Sequence, residues 1–148
     1  MAVSIMRVAR TLGRISGWKL SNLEMQKIGF IAEMLYLGRK DESLINEEWQ
    51  AWAYGPVQPE LYHKAKIFGT DPVRDIFYDA PLTEGGAREK SVIDAYGMMK
   101  DISPGRMINL THQPNGAWAG SYTAGMKGKI IPKSAIKREY QTLICDDG

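Results

Sequence analysis

The feature that most limits what this chain can fold into is the spacing of its apolar residues, which recur at steps of three and four in one stretch after another. From Ile5 to Ile15 the positions Ile5, Val8, Leu12 and Ile15 share a face, with Arg7, Arg10 and Arg14 between them. This predicts an amphipathic helix that ends near Ser16 and Gly17. Ser21 followed by Glu24 has the pattern of a capping box, in which each side chain accepts a backbone N–H left unpaired at a helix start. A second helix is therefore expected from Asn22 to Leu37, with Met25, Ile28, Ala32 and Leu35 as its apolar stripe and Ile31 widening it. Gly38 and the charged run Arg39, Lys40, Asp41 and Glu42 are expected to end it.

Beyond that point the spacing breaks and resumes. The stretch from Ile45 to Val57 holds Trp49, Trp52 and Tyr54 and closes on Tyr54-Gly55-Pro56-Val57, which predicts a short irregular or hairpin-like piece. Pro59 suits a first helical turn, and Leu61, Ala65 and Phe68 share a face, so Pro59 to Phe68 is expected to be a third helix. Thr70 to Gly86 is rich in Asp, Pro and Gly; its apolar interval from Arg74 to Tyr78 reads as a strand edge or a loop packed on the core. Helical spacing returns from Ala87 to Lys100. Ser103 and Pro104 then supply a cap and first turn for a helix over Pro104 to Thr111. Gln113 to Lys129 is glycine-rich without a sustained period, and Ile136, Tyr140 and Ile144 place a sixth helix in Pro132 to Ile144. No repeat or long linker divides the chain. The expectation is a mainly α fold: a single compact helical domain over residues 1–148, of about six helices with at most a small β hairpin, and a short polar tail at 145–148.

Composition narrows the function classes. The chain has 148 residues, 44% hydrophobic and 24% charged, which suits an ordered globule, and its formal net charge of +2 is not gathered into a basic run. Neither nucleic acid nor a membrane surface is called for. No apolar stretch is long enough to span a bilayer, and the start of the chain lacks the apolar centre of an export signal. The single cysteine, Cys145, cannot form an internal disulfide, so a reducing cytoplasm is expected.

Chemistry-bearing groups are sparse. His63, His112 and Cys145 are the strong ligand types, without zinc-like spacing, and no phosphate-binding loop or nucleophile elbow occurs. No cofactor, metal or catalytic residue is expected. His112 falls at the end of a predicted helix, where it can interact with unpaired carbonyls. Paired with Asp101 or Glu139 it would instead suggest a small hydrolase or transferase. Arg7, Arg10 and Arg14, if joined by Lys19 and Lys27 in one basic face, would suggest a nucleic-acid-binding regulator. Lys27, beside the apolar stripe, either lays its stem over the core with its ammonium in water or forms an ion pair holding a partner or an internal carboxylate. Trp49, Trp52 and Tyr54 serve equally as core anchors or binding hot spots, with at least one tryptophan assigned to the core.

The same residues carry a family resemblance. Leu20-Ser-Asn-Leu-Glu-Met-Gln-Lys27, Ala51-Trp52-Ala53-Tyr54-Gly55-Pro56-Val57 followed by Pro59, Leu61 and Tyr62, and Leu110-Thr111-His112 with Ala117-Trp118 are similar, in order, to three signatures of the Panacea antitoxin domain, the GepA/SocA-like family. Gly29-Phe30 departs from the bulkier aliphatic pair the family pattern leads one to expect. The resemblance implies an antitoxin that neutralises a cognate protein toxin by direct contact, with SocA-like members acting as adaptors to the ClpXP protease and GepA-type members found in phages and mobile elements. It also marks Lys27, Trp52, Tyr54, Gly55, Pro56, Val57, Tyr62, Thr111, His112 and Trp118 as family signature or partner-binding positions, and Thr70 to Gly86 as a stretch that could select the toxin.

Overall fold

The computed structural model describes residues 2–83, 85–126 and 128–147, with side chains placed through residue 142. Among them the chain forms seven α-helices: α1 (Ile5–Ser16), α2 (Asn22–Lys40), α3 (Pro59–Ala65), α4 (Gly86–Met99), α5 (Pro104–Thr111), α6 (Ala117–Ser121) and α7 (Lys133–Asp147). Three short strands, β1 (Trp49–Trp52), β2 (Gly55–Val57) and β3 (Lys129–Ile131), make an antiparallel sheet in the order β2-β1-β3. The fold is mainly α, as the spacing predicts, with one helix more than expected. The addition is the five-residue α6, too short to show a period.

Helix α2 is the centre of the molecule. Its start is the anticipated capping box: Glu24 N donates to Ser21 Oγ at 3.2 Å and Ser21 N to Glu24 Oε1 at 3.0 Å. Its burial exceeds a single stripe, because Phe30, Met34, Tyr36 and Leu37 are buried along with Met25, Ile28, Ala32 and Leu35. A helix buried on nearly all sides is a core helix, and α1, α4, α5 and α7 pack around this one. Gly38 does not end it. The helix continues to Lys40 and stops at Asp41, whose φ of 56° is left-handed. Gly38 instead leaves room for a neighbour, since a Cβ there would stand 1.9 Å from Cδ1 of Tyr140 on α7.

Two buried contacts join α2 to the rest. Phe30 meets the fully buried Trp49 edge-on at 5.3 Å, and a Cβ on Gly29 would lie 3.4 Å from the Trp49 ring. The unusual Gly29-Phe30 pair is thus the seat of Trp49, which meets the expectation that at least one of the tryptophans packs in the core. Glu33, wholly buried, accepts from Leu44 N and pairs with the Lys133 ammonium, which also donates to Ile45 O at 3.1 Å. One carboxylate therefore pins both the 41–48 loop and the start of α7.

The remaining differences are local. The third helix stops at Ala65 and closes as a 3-10 turn over Lys66–Phe68. The stretch from Thr70 to Thr83 is a loop packed on the core, with Val73 and Phe77 buried and Val73 N bonded to Leu20 O at 2.8 Å. Strand β3 was not anticipated. Helix α7 runs through Asp147, so the polar tail expected from residue 145 is helical that far, while Gly148 and the side chains of Ile144 and Cys145 lie outside the described residues.

Gly38→Ala tests the α2–α7 contact through its sign. Helix propensity alone would stabilise by about 1 kcal/mol, whereas forcing a methyl into a filled contact costs about 1–3 kcal/mol. Chemical denaturation is expected to show net destabilisation in the native background and net stabilisation in a Tyr140→Ala background.

Candidate functional site

The site forms where α2 meets β2. Strand β2 is an edge strand, paired to β1 in the register Gln50↔Val57, Ala51↔Pro56 and Trp52↔Gly55. Pro56 is tolerated there because an edge needs fewer N–H donors. The groups on its outer side are buried and require partners, and α2 supplies them from two consecutive residues. Gln26 Oε1 accepts from Gln58 N at 2.7 Å and Gln26 Nε2 donates to Gln58 O at 3.2 Å. Lys27 Nζ donates to Pro56 O at 3.1 Å. Gln58 then caps α3 by accepting from Leu61 N at 2.9 Å.

Lys27 is 2% exposed. The expectation of an ammonium in water is thereby overturned, and among the described residues no internal carboxylate pairs with it. Burial lowers its pKa from the usual 10.5 to about 8. Gly55 is required directly above it. Its φ is +116°, and a Cβ would lie 3.0 Å from Lys27 Nζ and 3.1 Å from Thr111 Oγ1. Thr111 is buried and its hydroxyl is directed to Met107 O and Ile108 O at 3.2 and 3.0 Å.

Behind this layer His112, Trp118 and Tyr122 form a continuous stack. The His112 and Trp118 rings are 3.6 Å apart at 5°, and those of Trp118 and Tyr122 are 4.6 Å apart at 15°. Trp118 Nε1 donates to Trp52 O at 2.7 Å, fastening the stack to β1. The His112 pKa is lowered, first by burial and then by the Lys27 charge, against a hydrogen bond with the Tyr54 backbone, so the ring is neutral at pH 7. Its Nε2 is buried without a hydrogen-bond partner. Glu139 supports the stack from below. Its Oε1 accepts from Ala117 N at 2.9 Å at the start of α6, and burial raises its pKa despite that bond.

On the solvent side lies a cleft of about 600 Å³, lined by Leu23, Lys27, Trp52, Tyr54, Val57, Tyr62, Tyr122 and Met126 among others. Trp52 meets Tyr62 edge-on at 4.8 Å. Tyr54, in the turn between β1 and β2, is 71% exposed and Met126 is 55% exposed. The ten signature positions therefore converge but divide in two. Lys27, Trp52, Tyr54, Val57 and Tyr62 line the cleft, whereas Gly55, Pro56, Thr111, His112 and Trp118 hold it in place. Gln58 and Tyr122 belong to the same assembly and were not singled out from the sequence, while Gln26 stood there only within the first family signature and Glu139 only as a possible carboxylate partner of His112.

The chemical alternatives lose their geometry here. Asp101 is exposed, Glu139 is bonded to Ala117 N, and among the described residues no carboxylate hydrogen-bonds His112. The basic face also fails to form, because Lys27 is inside the fold and Arg10 bonds Asp75 at 3.3 Å and Ala80 O at 2.7 Å. No cluster among the described residues could hold a metal ion, and no helix of the structure is long and apolar enough to cross a membrane.

Lys27 gives a pH signature with a definite sign. Its pKa is about 8 folded and 10.5 unfolded, so between these values the unfolded chain binds the extra proton and stability rises with pH. The contribution is complete above 10.5 and lost as pH falls through 8. Denaturation at the two pH values is expected to show the native protein gaining up to about 3 kcal/mol relative to Lys27→Met.

A profile described as Antitoxin SocA-like, Panacea domain matches residues 25–119. Antitoxin SocA of Caulobacter vibrioides (strain NA1000 / CB15N) is 24% identical over 109 residues, which cover 67% of this chain and 58% of that protein. The chain thus spans less than two thirds of this curated relative. No solved structure matches it. The profile begins just before Gln26 and Lys27 and ends just after Trp118, so it takes in most of α2, the edge strand and the His112–Trp118 pair of the stack, with Tyr122 and Met126 beyond it. With well over half of its length matched, this chain belongs to the SocA-like Panacea antitoxin domain family.

Proposed function

We propose that this protein is a cytoplasmic antitoxin, acting as a single domain, that neutralises a cognate protein toxin by direct contact, with the aromatic cleft as the contact surface. The observation that carries this is the exposure of Tyr54 and Met126 at a cleft whose frame is otherwise fixed by buried hydrogen bonds. Aromatic and thioether side chains left in water on a rigid frame are what a protein partner covers, and anchors of this kind dominate interface energies. Membership of an antitoxin family supports a toxin as that partner. The role is one of binding and not of catalysis. Delivery of the captured toxin to ClpXP would use the same surface.

Co-expression with the product of the adjacent reading frame tests this, read by host growth and by size-exclusion chromatography with light scattering. Restored growth and a stable mixed complex are expected. Tyr54→Ala removes an exposed ring without touching the frame; it is expected to leave the fold intact and weaken the complex by about 2 kcal/mol, roughly thirtyfold. A shortened toxin half-life that returns to normal in cells lacking ClpXP would establish delivery, and an unchanged half-life would establish blocking alone. Absence of both rescue and a complex would overturn the proposal.

A further inference from the structure

The walls of the cleft spend their hydrogen-bonding groups on one another. The strand edge beside it, that of β2, is sealed: Gln26 takes both the N–H and the C=O of Gln58, and Lys27 takes the C=O of Pro56. The Trp52 indole N–H, the usual polar handle of such an anchor, donates to Gln50 Oε1 at 3.0 Å. The Tyr54 backbone is bonded to His112, and Met126 N donates to Thr123 O at 3.0 Å. What the cleft presents is apolar surface from separate elements: Leu23 at the start of α2, Tyr54 in the β1–β2 turn, Tyr62 on α3 and Met126 in the turn before β3.

A segment that enters such a cleft has to bring its own backbone hydrogen bonds. In an extended or polyproline conformation the N–H and C=O groups stand free along the chain, and each one buried here without a partner weakens binding by about fivefold or more. An α-helix closes these groups on itself and presents only side chains. We propose that the cleft receives the apolar face of an amphipathic helix of the toxin, whose side chains at three and four residue steps cover Tyr54 and Met126. This rests on the cleft being the toxin-binding surface. Its size agrees, since about 600 Å³ is room for a cluster of side chains while the backbone that carries them rests on the rim. Met126, 55% exposed, suits that task because an unbranched thioether adapts to whichever apolar side chain arrives.

The test uses the purified full chain with its methionine methyl groups labelled and three capped peptides of about twenty residues, so it does not depend on the toxin. The first two share one composition of leucine, phenylalanine, alanine, glutamate and lysine. In the first the apolar residues recur at three and four residue steps, and in the second they alternate with polar ones. The third keeps the order of the first but has proline at two central positions, which breaks the helix. The helical peptide is expected to bind at least about tenfold more tightly than the other two and to shift the Met126 methyl resonance, which Met126→Leu assigns. Tyr54→Ala is expected to weaken that binding about tenfold, with thermal unfolding confirming that the variant folds.

Tightest binding of the alternating peptide would replace the helix by an extended segment and overturn the proposal. Equal binding of all three, no binding of any, or binding that leaves the Met126 methyl unmoved and ignores Tyr54→Ala would overturn it as well. A failed co-expression beside selective binding of the helical peptide would sink the antitoxin proposal and leave the helix-receiving cleft standing; a successful co-expression beside any of these failures would do the reverse.

Discussion

Everything around the cleft depends on two consecutive side chains of α2 satisfying the outer edge of β2. An edge strand buried against a helix has backbone groups that no neighbouring strand can pair, and each one left unmet costs about 1–3 kcal/mol. Gln26 answers the N–H and C=O of Gln58, and Lys27 answers the C=O of Pro56. Consecutive helical residues point about 100° apart, so the pair reaches along the strand instead of meeting at one point. The turn between β1 and β2 is held in place as a result, and with it the exposed Tyr54. Gly55 follows from the same arrangement, because any Cβ would stand where the Lys27 ammonium and the Thr111 hydroxyl already are.

The rest of the molecule repeats this device with different chemistry. Glu33, two turns along α2, holds the 41–48 loop and α7 by a buried carboxylate, while Glu139 on α7 holds the start of α6. Helix α6 in turn carries Trp118, whose ring stacks on His112 and whose N–H bonds the end of β1. A closed circuit therefore runs from α2 through β2 and β1 to α6, then through α7 back to α2. Its links are buried polar contacts, which fix one geometry, whereas apolar packing tolerates small slides.

This division explains what could be read in the sequence. Helices α1, α2 and α5 were legible because their apolar spacing and caps are local signals; Ser21 and Glu24 do in the structure what their spacing implies. The extent of α2 was not, since Gly38 looks like a terminator until Tyr140, about a hundred residues later, is seen lying against it. The burial of Lys27 was missed for the same reason. On an isolated helix a lysine next to a stripe reaches water, and only a strand arriving from residues 55–57 closes that exit. Gln26, Gln58 and Glu139 look like ordinary surface residues by type. The weak signals were a Gln directly before Pro59 at a helix start and a Glu on the apolar face of Ile136 and Tyr140. The motif residues are legible as a signature, but their division into cleft lining and frame is a property of three-dimensional contact.

The buried Lys27 is an energetic cost that the frame carries. A methionine would fill nearly the same volume without desolvating a charge, and replacing buried ionic groups by apolar ones of similar size is often neutral or stabilising. As a structural clasp alone, the ammonium is therefore an inefficient choice, since its one hydrogen bond to Pro56 O does not need a full charge. The circuit of buried polar contacts is what keeps that cost from being relieved by the ammonium swinging out to solvent.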